Sequence, residues 1–199
     1  MAIIVDKVQK RKDIALACKE IFFQNGINDL TVSQVAKAAG IGKGTIYDYF
    51  KNKEDIVFEI VNILMQEHNT MMHIKLANAS STREKVKFFS SIFYDEEEKE
   101  LRQLYKEFIS ISLTNPLKEM IEFQTAHTNH YYNWLLVLLN EGIEKGEIKE
   151  GSQDLACGLF VSATGMFIVN SVTNTIDDLK LEIDKFTDAI FDLIEVKQC

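Results

Sequence analysis

A single proline, Pro116, stands in a chain of 199 residues. Ordinary usage would place roughly ten in a chain of this length. Sandwiches and barrels need many Gly- and Pro-rich turns, so one proline and nine glycines point instead to long, uninterrupted helices. No segment of useful length alternates with period two. With 46% hydrophobic residues the chain can bury a sizeable core. The expected fold is all-α, nine helices in two domains, residues 1–52 and 53–199.

The helices can be placed from their caps. Between Lys7 and Asn25, Ile14, Ala17, Cys18, Ile21 and Phe22 recur at helical spacing, and Gly26 marks a stop. Thr31 with Gln34 forms a capping box and Leu30 with Val35 a hydrophobic staple, opening a helix that Gly40 ends near Ala39. A short helix follows from Lys43 to about Tyr49. Asn52 then caps a long one from Lys53 to roughly Ala77. Ser81 and Glu84 open a helix to about Tyr94, and another spans about Glu96 to Leu113. Pro116 is expected at the first position of a helix reaching Lys145. Ser152 caps an uncharged helix, and a last amphipathic one runs from the Thr175–Asp178 region to about Val196.

Cys18, Cys157 and Cys199 are too scattered for a disulfide framework or a zinc site, and no cofactor is expected. The N-terminal MAIIVDKVQKRKD lacks the apolar run of a signal peptide, so a reduced, cytoplasmic setting is expected. Leu155–Ile176 carries no charge, but small and polar residues interrupt it. A helix buried on two sides fits it better than a membrane span, and no membrane partner is expected.

A net charge of −8 argues at first against nucleic acid. Its placement argues otherwise. Residues 1–53 hold nine Lys or Arg against five acids, and the remainder holds 13 against 25. A basic N-terminal segment on an acidic body is the footprint of a DNA reader joined to something else. Two short helices joined by Gly40-Ile41-Gly42 supply the matching element, a helix-turn-helix. In the second, Ile46 and Phe50 can pack on Ile21, Val35 and Ala39, while Lys43, Gly44, Thr45, Tyr47 and Asp48 face away. Lys43 can reach phosphate, Gly44 allows close approach, and Thr45 can touch a base edge. Thr31, Lys51 and Lys53 would add phosphate contacts, and Tyr49 closes the set. The plain alternative is a helical corner with solvated polar residues. GIGKGT matches neither phosphate-loop pattern and follows no strand, so a nucleotide site is not expected.

LTVSQVAKAAGIGKGTIYDYFKNKEDI resembles the DNA-binding domain of the tetracycline-repressor (TetR) family of transcriptional regulators. The similarity rests on the Thr, the Ala-Gly, and the run Lys-Gly-Thr-Ile-Tyr-x-Tyr-Phe-Lys-x-Lys-Glu, and covers about residues 11–60. The resemblance implies a homodimer on a near-palindromic double-stranded operator, usually a repressor released by a small molecule. Gly42 departs from the family's frequent Ser. Asp48 places an acid where several members present a polar or aromatic base reader.

From Ile56 onward aromatic residues and methionines abound, most of them expected in the core. His127, His130, Tyr131 and Trp134 share a helix at i, i+3, i+4 and i+7, where Gln124 and Thr164 can join them. With Met65, Phe89, Phe93, Tyr105, Phe108 and Phe167 they make a candidate small-ligand pocket, apolar walls carrying a few polar groups. The resemblance implies such a pocket between the fourth helix and the long central ones. His127 and His130 give only two nitrogens, too few for a metal site. Ala156, Gly158, Ser162, Ala163 and Gly165 permit close helix approach, and the last helix offers Leu181, Phe186, Ile190, Phe191 and Ile194. The resemblance implies that these last two helices pair with their copies in a homodimer, the commonest kind of oligomer. The expected function is a ligand-released transcriptional repressor; the rival is an all-α small-molecule or lipid carrier. No catalytic motif suggests an enzyme.

Overall fold

A computed structural model describes residues 6–173 and 175–197; Cys199 and the first five residues lie outside it. The described residues form nine α-helices: α1 (Lys7–Asp29), α2 (Val32–Ala38), α3 (Lys43–Ile46), α4 (Lys53–Ala77), α5 (Thr82–Phe89), α6 (Lys99–Thr114), α7 (Lys118–Glu144), α8 (Ala156–Val172) and α9 (Leu179–Ile194). Three 3-10 turns, Ser90–Phe93, Glu96–Glu98 and Ser152–Leu155, connect them.

Local signals set most of these boundaries. The Thr31 hydroxyl accepts from the Gln34 N–H while the Gln34 side chain reaches back to the Thr31 N–H, the reciprocal box the sequence predicts. Asn52 accepts from the Asp55 N–H and starts α4. Several expectations are corrected. α1 passes Gly26 at a kink (φ 74°) and ends at Asp29, and its buried stripe uses Ala15 rather than Ala17. α3 closes at Ile46, and α5 tightens into a 3-10 turn after Phe89. Pro116 does not begin α7. It holds Asn115 off the helical region, Leu117 stays extended, and the helix starts at Lys118.

Three apolar clusters make up the core. The first joins α1, α2 and α3 to the first half of α4 and to α6, through Ile14, Phe22, Val35, Ile46, Phe50, Ile60 and Leu104. The second joins the end of α4 to α5, α7, α8 and α9 through Met72, Phe89, Leu135, Leu139 and Phe191. A smaller third gathers Phe93, Ala163, Phe167 and Ile183. At 1.5 Å per residue the 25 residues of α4 extend about 38 Å, so one helix spans the first two clusters.

Ser152–Val172 is long and apolar enough, by length and composition, to cross a membrane. Burial on two sides is not what the chain shows. Only Ala156, Leu159, Ala163 and Phe167 of α8 are buried, a single stripe, and Val161 (58%) and Val172 (78%) are exposed opposite it. Ala156 and Ala163 therefore belong to the interior, not to a free face.

Candidate nucleic-acid interface and effector cavity

The first three helices present one polar face. Ile46 and Phe50 are buried against Val35, with Ile21 and Ala39 beside them, as the helical spacing requires. This turns Lys43, Gly44, Thr45, Tyr47 and Asp48 outward together, with Tyr47 55% exposed despite its ring. Tyr49 is half-buried and packs on the core. Lys51 is exposed. Lys53 is partly committed elsewhere, its Nζ donating to the Asn28 carbonyl at 2.8 Å. The Thr31 hydroxyl donates to Gln34 Oε1 at 2.6 Å, at an exposed helix start.

One arginine fixes this face to α4. Arg11 lies over the Phe50 ring at 4.3 Å and donates to the Tyr49 carbonyl at 2.6 Å, closing the end of the reading segment. Its other nitrogens bond Asp55 Oδ1 at 2.6 Å and Glu59 Oε2 at 2.7 Å. Burial pushes the Asp55 carboxyl up, but Arg11 and the Lys51 N–H outweigh it and hold the group below its ordinary range. The same carboxylates raise Arg11 against its own burial. The clamp joins α1, the α3 segment and α4 as one body.

A cavity of about 110 Å³ opens where the three clusters meet. α4, α5, α6, α7 and α8 all contribute walls. Met65, Phe89, Phe93, Tyr105, Phe108, Gln124, His127 and Tyr131 line it, so eight of the sequence-derived candidates converge. Tyr131 donates its hydroxyl to Asn69 Oδ1 at 2.5 Å, and burial pushes the phenol well above its ordinary value. Burial, then the neighbouring His130, pulls His127 down.

The other four candidates lie elsewhere. At about 100° per residue, Tyr131 falls some 40° to one side of His127 and His130 some 60° to the other. His130 consequently turns to an open cleft with Gln66, Asn69 and His73, which shares Met65 and His127 with the cavity. Trp134 packs on His73 at 4.7 Å and edge-on to Phe89. Phe167 sits behind the wall against Phe93 and Tyr105. The Thr164 hydroxyl is buried without a hydrogen-bond partner among the described residues. Among the described residues no three His, Cys, Asp or Glu gather as a metal would need.

Three polar lining residues were not among the sequence-derived candidates, His68, Arg102 and Thr128, nor were the apolar Val61, Ile92, Leu101 and Leu104. His68 contacts Glu98 from 30 residues away, so nothing local marks it. Arg102 sits in the charge-rich run Asp95–Arg102, which reads as a solvated helix face.

α6 faces both ways. Its Leu101, Leu104, Tyr105 and Phe108 line the cavity. Its other side grips α1: Glu100 pairs with Lys19 at 2.7 Å, Gln103 donates to the Phe23 carbonyl, and Glu107 accepts from the Ile27 N–H at 3.1 Å.

The family model for bacterial regulatory proteins of the tetR family matches residues 14–60, the clamped reading unit and the start of α4. The fatty acid metabolism regulator protein of Bacillus subtilis (strain 168) is 29% identical over 94% of this chain and 95% of its own length. Among solved structures, the transcriptional regulator FadR from Bacillus subtilis in complex with stearoyl-CoA superposes with a TM-score of 0.61. It is 26% identical, over 91% of this chain and 95% of that one. A TetR-family regulator from Cytophaga hutchinsonii shares the fold at a TM-score of 0.78 and 15% identity, over 98% and 99% of the two chains. The outward helix-turn-helix, the two-part helical fold and these relatives converge: residues 14–60 make a DNA-binding domain of the tetR family of bacterial regulatory proteins, and the chain is a DNA-binding transcriptional regulator.

Proposed function

We propose that the protein is a homodimeric cytoplasmic repressor that leaves a near-palindromic operator when a small hydrophobic or amphipathic molecule fills the cavity. The observation that carries this is that α4 and α6 each border the cavity and each grip the reading unit. α4 does so through the Arg11 clamp and α6 through Glu100, Gln103 and Glu107. An occupant that moves either helix moves the face carrying Lys43, Gly44, Thr45, Tyr47 and Asp48. In this reading that face, with Tyr49, enters the groove, while Thr31, Lys51 and Lys53 lie toward phosphate. The effector must bind the non-DNA-binding arrangement more tightly, because equal affinity for both shifts nothing.

The division at residues 52 and 53 is supported by Asn52, which caps α4 where the reading unit ends. A relative named for fatty acid metabolism and one holding stearoyl-CoA support an effector with a long apolar chain. The unburied stripe of α8 supports pairing through the last two helices. There Val161, Val169 and Val172 are exposed, as are Leu181 and Leu193 of α9, while Phe191 is interior and Phe186, Ile190 and Ile194 pack on the second cluster.

Gel retardation of the DNA around the protein's own gene, at low salt, tests the reading. Lys43→Ala and Tyr47→Ala are expected to lower operator affinity roughly 10- to 100-fold, with dimerisation unchanged by size exclusion. No retardation by the unaltered protein removes the repressor reading. Wild-type affinity in both variants removes the assigned reading face.

A further inference from the structure

Among the polar groups that line the apolar cavity, His68 and Arg102 are the two anchored by one side to the protein that keep further hydrogen-bonding capacity unclaimed. The His68 side chain is 2% exposed and lines the cavity. Its Nδ1 lies 2.6 Å from Glu98 Oε1, and its Nε2 has no hydrogen-bond partner among the described residues. An ionised carboxylate only accepts, so Nδ1 carries the hydrogen and Nε2 is the nitrogen left for a ligand.

Arg102 stands four residues beyond Glu98 and lines the same cavity. Its Nη1 donates to the Ile92 carbonyl at 3.1 Å and to the Asp95 carbonyl. Nε and Nη2 have no acceptor, and no carboxylate bridges the group, among the described residues. A partly buried guanidinium held only by carbonyls is costly unless an anion completes it. Burial pulls Arg102 below its ordinary value in spite of Glu96, Glu98 and Asp95 nearby. Two of those acids are already engaged, Glu98 with His68 and Asp95 with Lys75 at 2.8 Å.

We propose that the effector is a monocarboxylic amphiphile, an apolar chain ending in one free carboxyl group, whose oxygens are held by Arg102 and His68. The inference rests on the reading of this cavity as the effector site. A carboxylate offers two oxygens to the planar fork of a guanidinium. It also suits Nε2 whichever side holds the shared proton: the acid O–H donates to the nitrogen, or the N–H donates to the carboxylate. An ester or thioester only accepts and carries no charge, and an alcohol offers one oxygen. A coenzyme A thioester brings phosphates besides. Neither the cavity nor the adjoining cleft is lined by a lysine, and Arg102 is their one arginine.

Calorimetric titration of the full chain with dodecanoate, methyl dodecanoate, dodecanol and dodecanoyl-CoA, each below its micelle threshold, separates the head groups. Dodecanoate is expected to bind about tenfold or more tighter than the ester and the alcohol, the effect of a charge-assisted hydrogen bond. Dodecanoyl-CoA is expected to bind no tighter than the ester. Arg102→Gln and His68→Gln are expected to reduce dodecanoate to the ester's affinity while the ester's own affinity holds, and Arg102→Lys to restore part of the preference. Should a Gln variant lose the ester too, its cavity has collapsed; the head-group order in the unaltered protein then decides. Equal affinity for acid and ester overturns the proposal, as does tighter binding of dodecanoyl-CoA or no binding of any dodecyl compound. Operator retardation without ligand is read separately, so failure here leaves the DNA-binding reading standing.

Discussion

The reading unit and the cavity are built on opposite principles. In α1–α3 and the turn after α3 the inward side chains of Ile14, Cys18, Phe22, Val35, Ile46 and Phe50 are sealed from solvent, and a four-way arginine clamp ties the unit to α4. Around the cavity, five helices meet without filling the space between them. A base-reading surface loses several contacts at once if its backbone shifts, so it tolerates little slack. A site that must admit a ligand needs slack by definition. α4 and α6 belong to both regions, so in the proposed function motion starts at the cavity and reaches the reading unit through these two helices.

Substitutions in either region test that contrast. The largest effect is expected from Gly142→Ala, in the packed crossing of α5 and α7, about 16 Å along α7 from the cavity residue Tyr131. A Cβ there would come within 2.8 Å of Thr82 Cγ2 and 3.0 Å of its Cβ, and Thr82 is buried and bonded to Glu147. A loss of about 2–3 kcal/mol by denaturant unfolding is expected. A loss below about 1 kcal/mol would show that this crossing gives way as the cavity does. Arg11→Ala leaves Asp55 and Glu59 without their partner and is expected to cost about 2 kcal/mol, a figure tempered by partial exposure. Unchanged stability there would mean that the reading unit does not depend on its clamp.

Smaller again is Thr31→Ala, which removes the reciprocal cap of α2 for about 1 kcal/mol in a thermal melt. Acid titration gives the least. Asp55 and Glu147 are held below the ordinary carboxylate range: burial raises both, but Arg11 outweighs it at Asp55 and the Thr82 hydroxyl and N–H at Glu147. Their contribution is present above about pH 4 and is lost as the pH falls through the depressed folded values. Arg11→Ala is expected to flatten the Asp55 share of that slope, below about 1 kcal/mol; an unchanged slope would place the linkage elsewhere.

The reading unit was legible in the sequence because its signals are short-range. Thr31 and Gln34, or Ile46 and Phe50, identify one another within a turn of helix. The span of α4 from Lys53 to Ala77 follows from Asn52 at one end and the apolar period between. Eight cavity residues were legible because bulky side chains on helical stripes face inward. The remainder depended on long-range geometry. Whether Phe167 lines the cavity or backs its wall depends on the angle between α6 and α8, which no local pattern carries. Arg102 and His68 were hidden for a related reason: a buried polar group has the same letter as a solvated one.

The outward stripe of α8 has a consequence in the currency of mass action. If the exposed Val161, Val169 and Val172 of this uncharged helix are covered by a second copy, as proposed, the pairing stabilises the fold and the folded population depends on how many copies surround it. In the proposed dimer, dilution alone would then weaken operator occupancy, and the protein's own abundance would set the threshold at which an effector is felt.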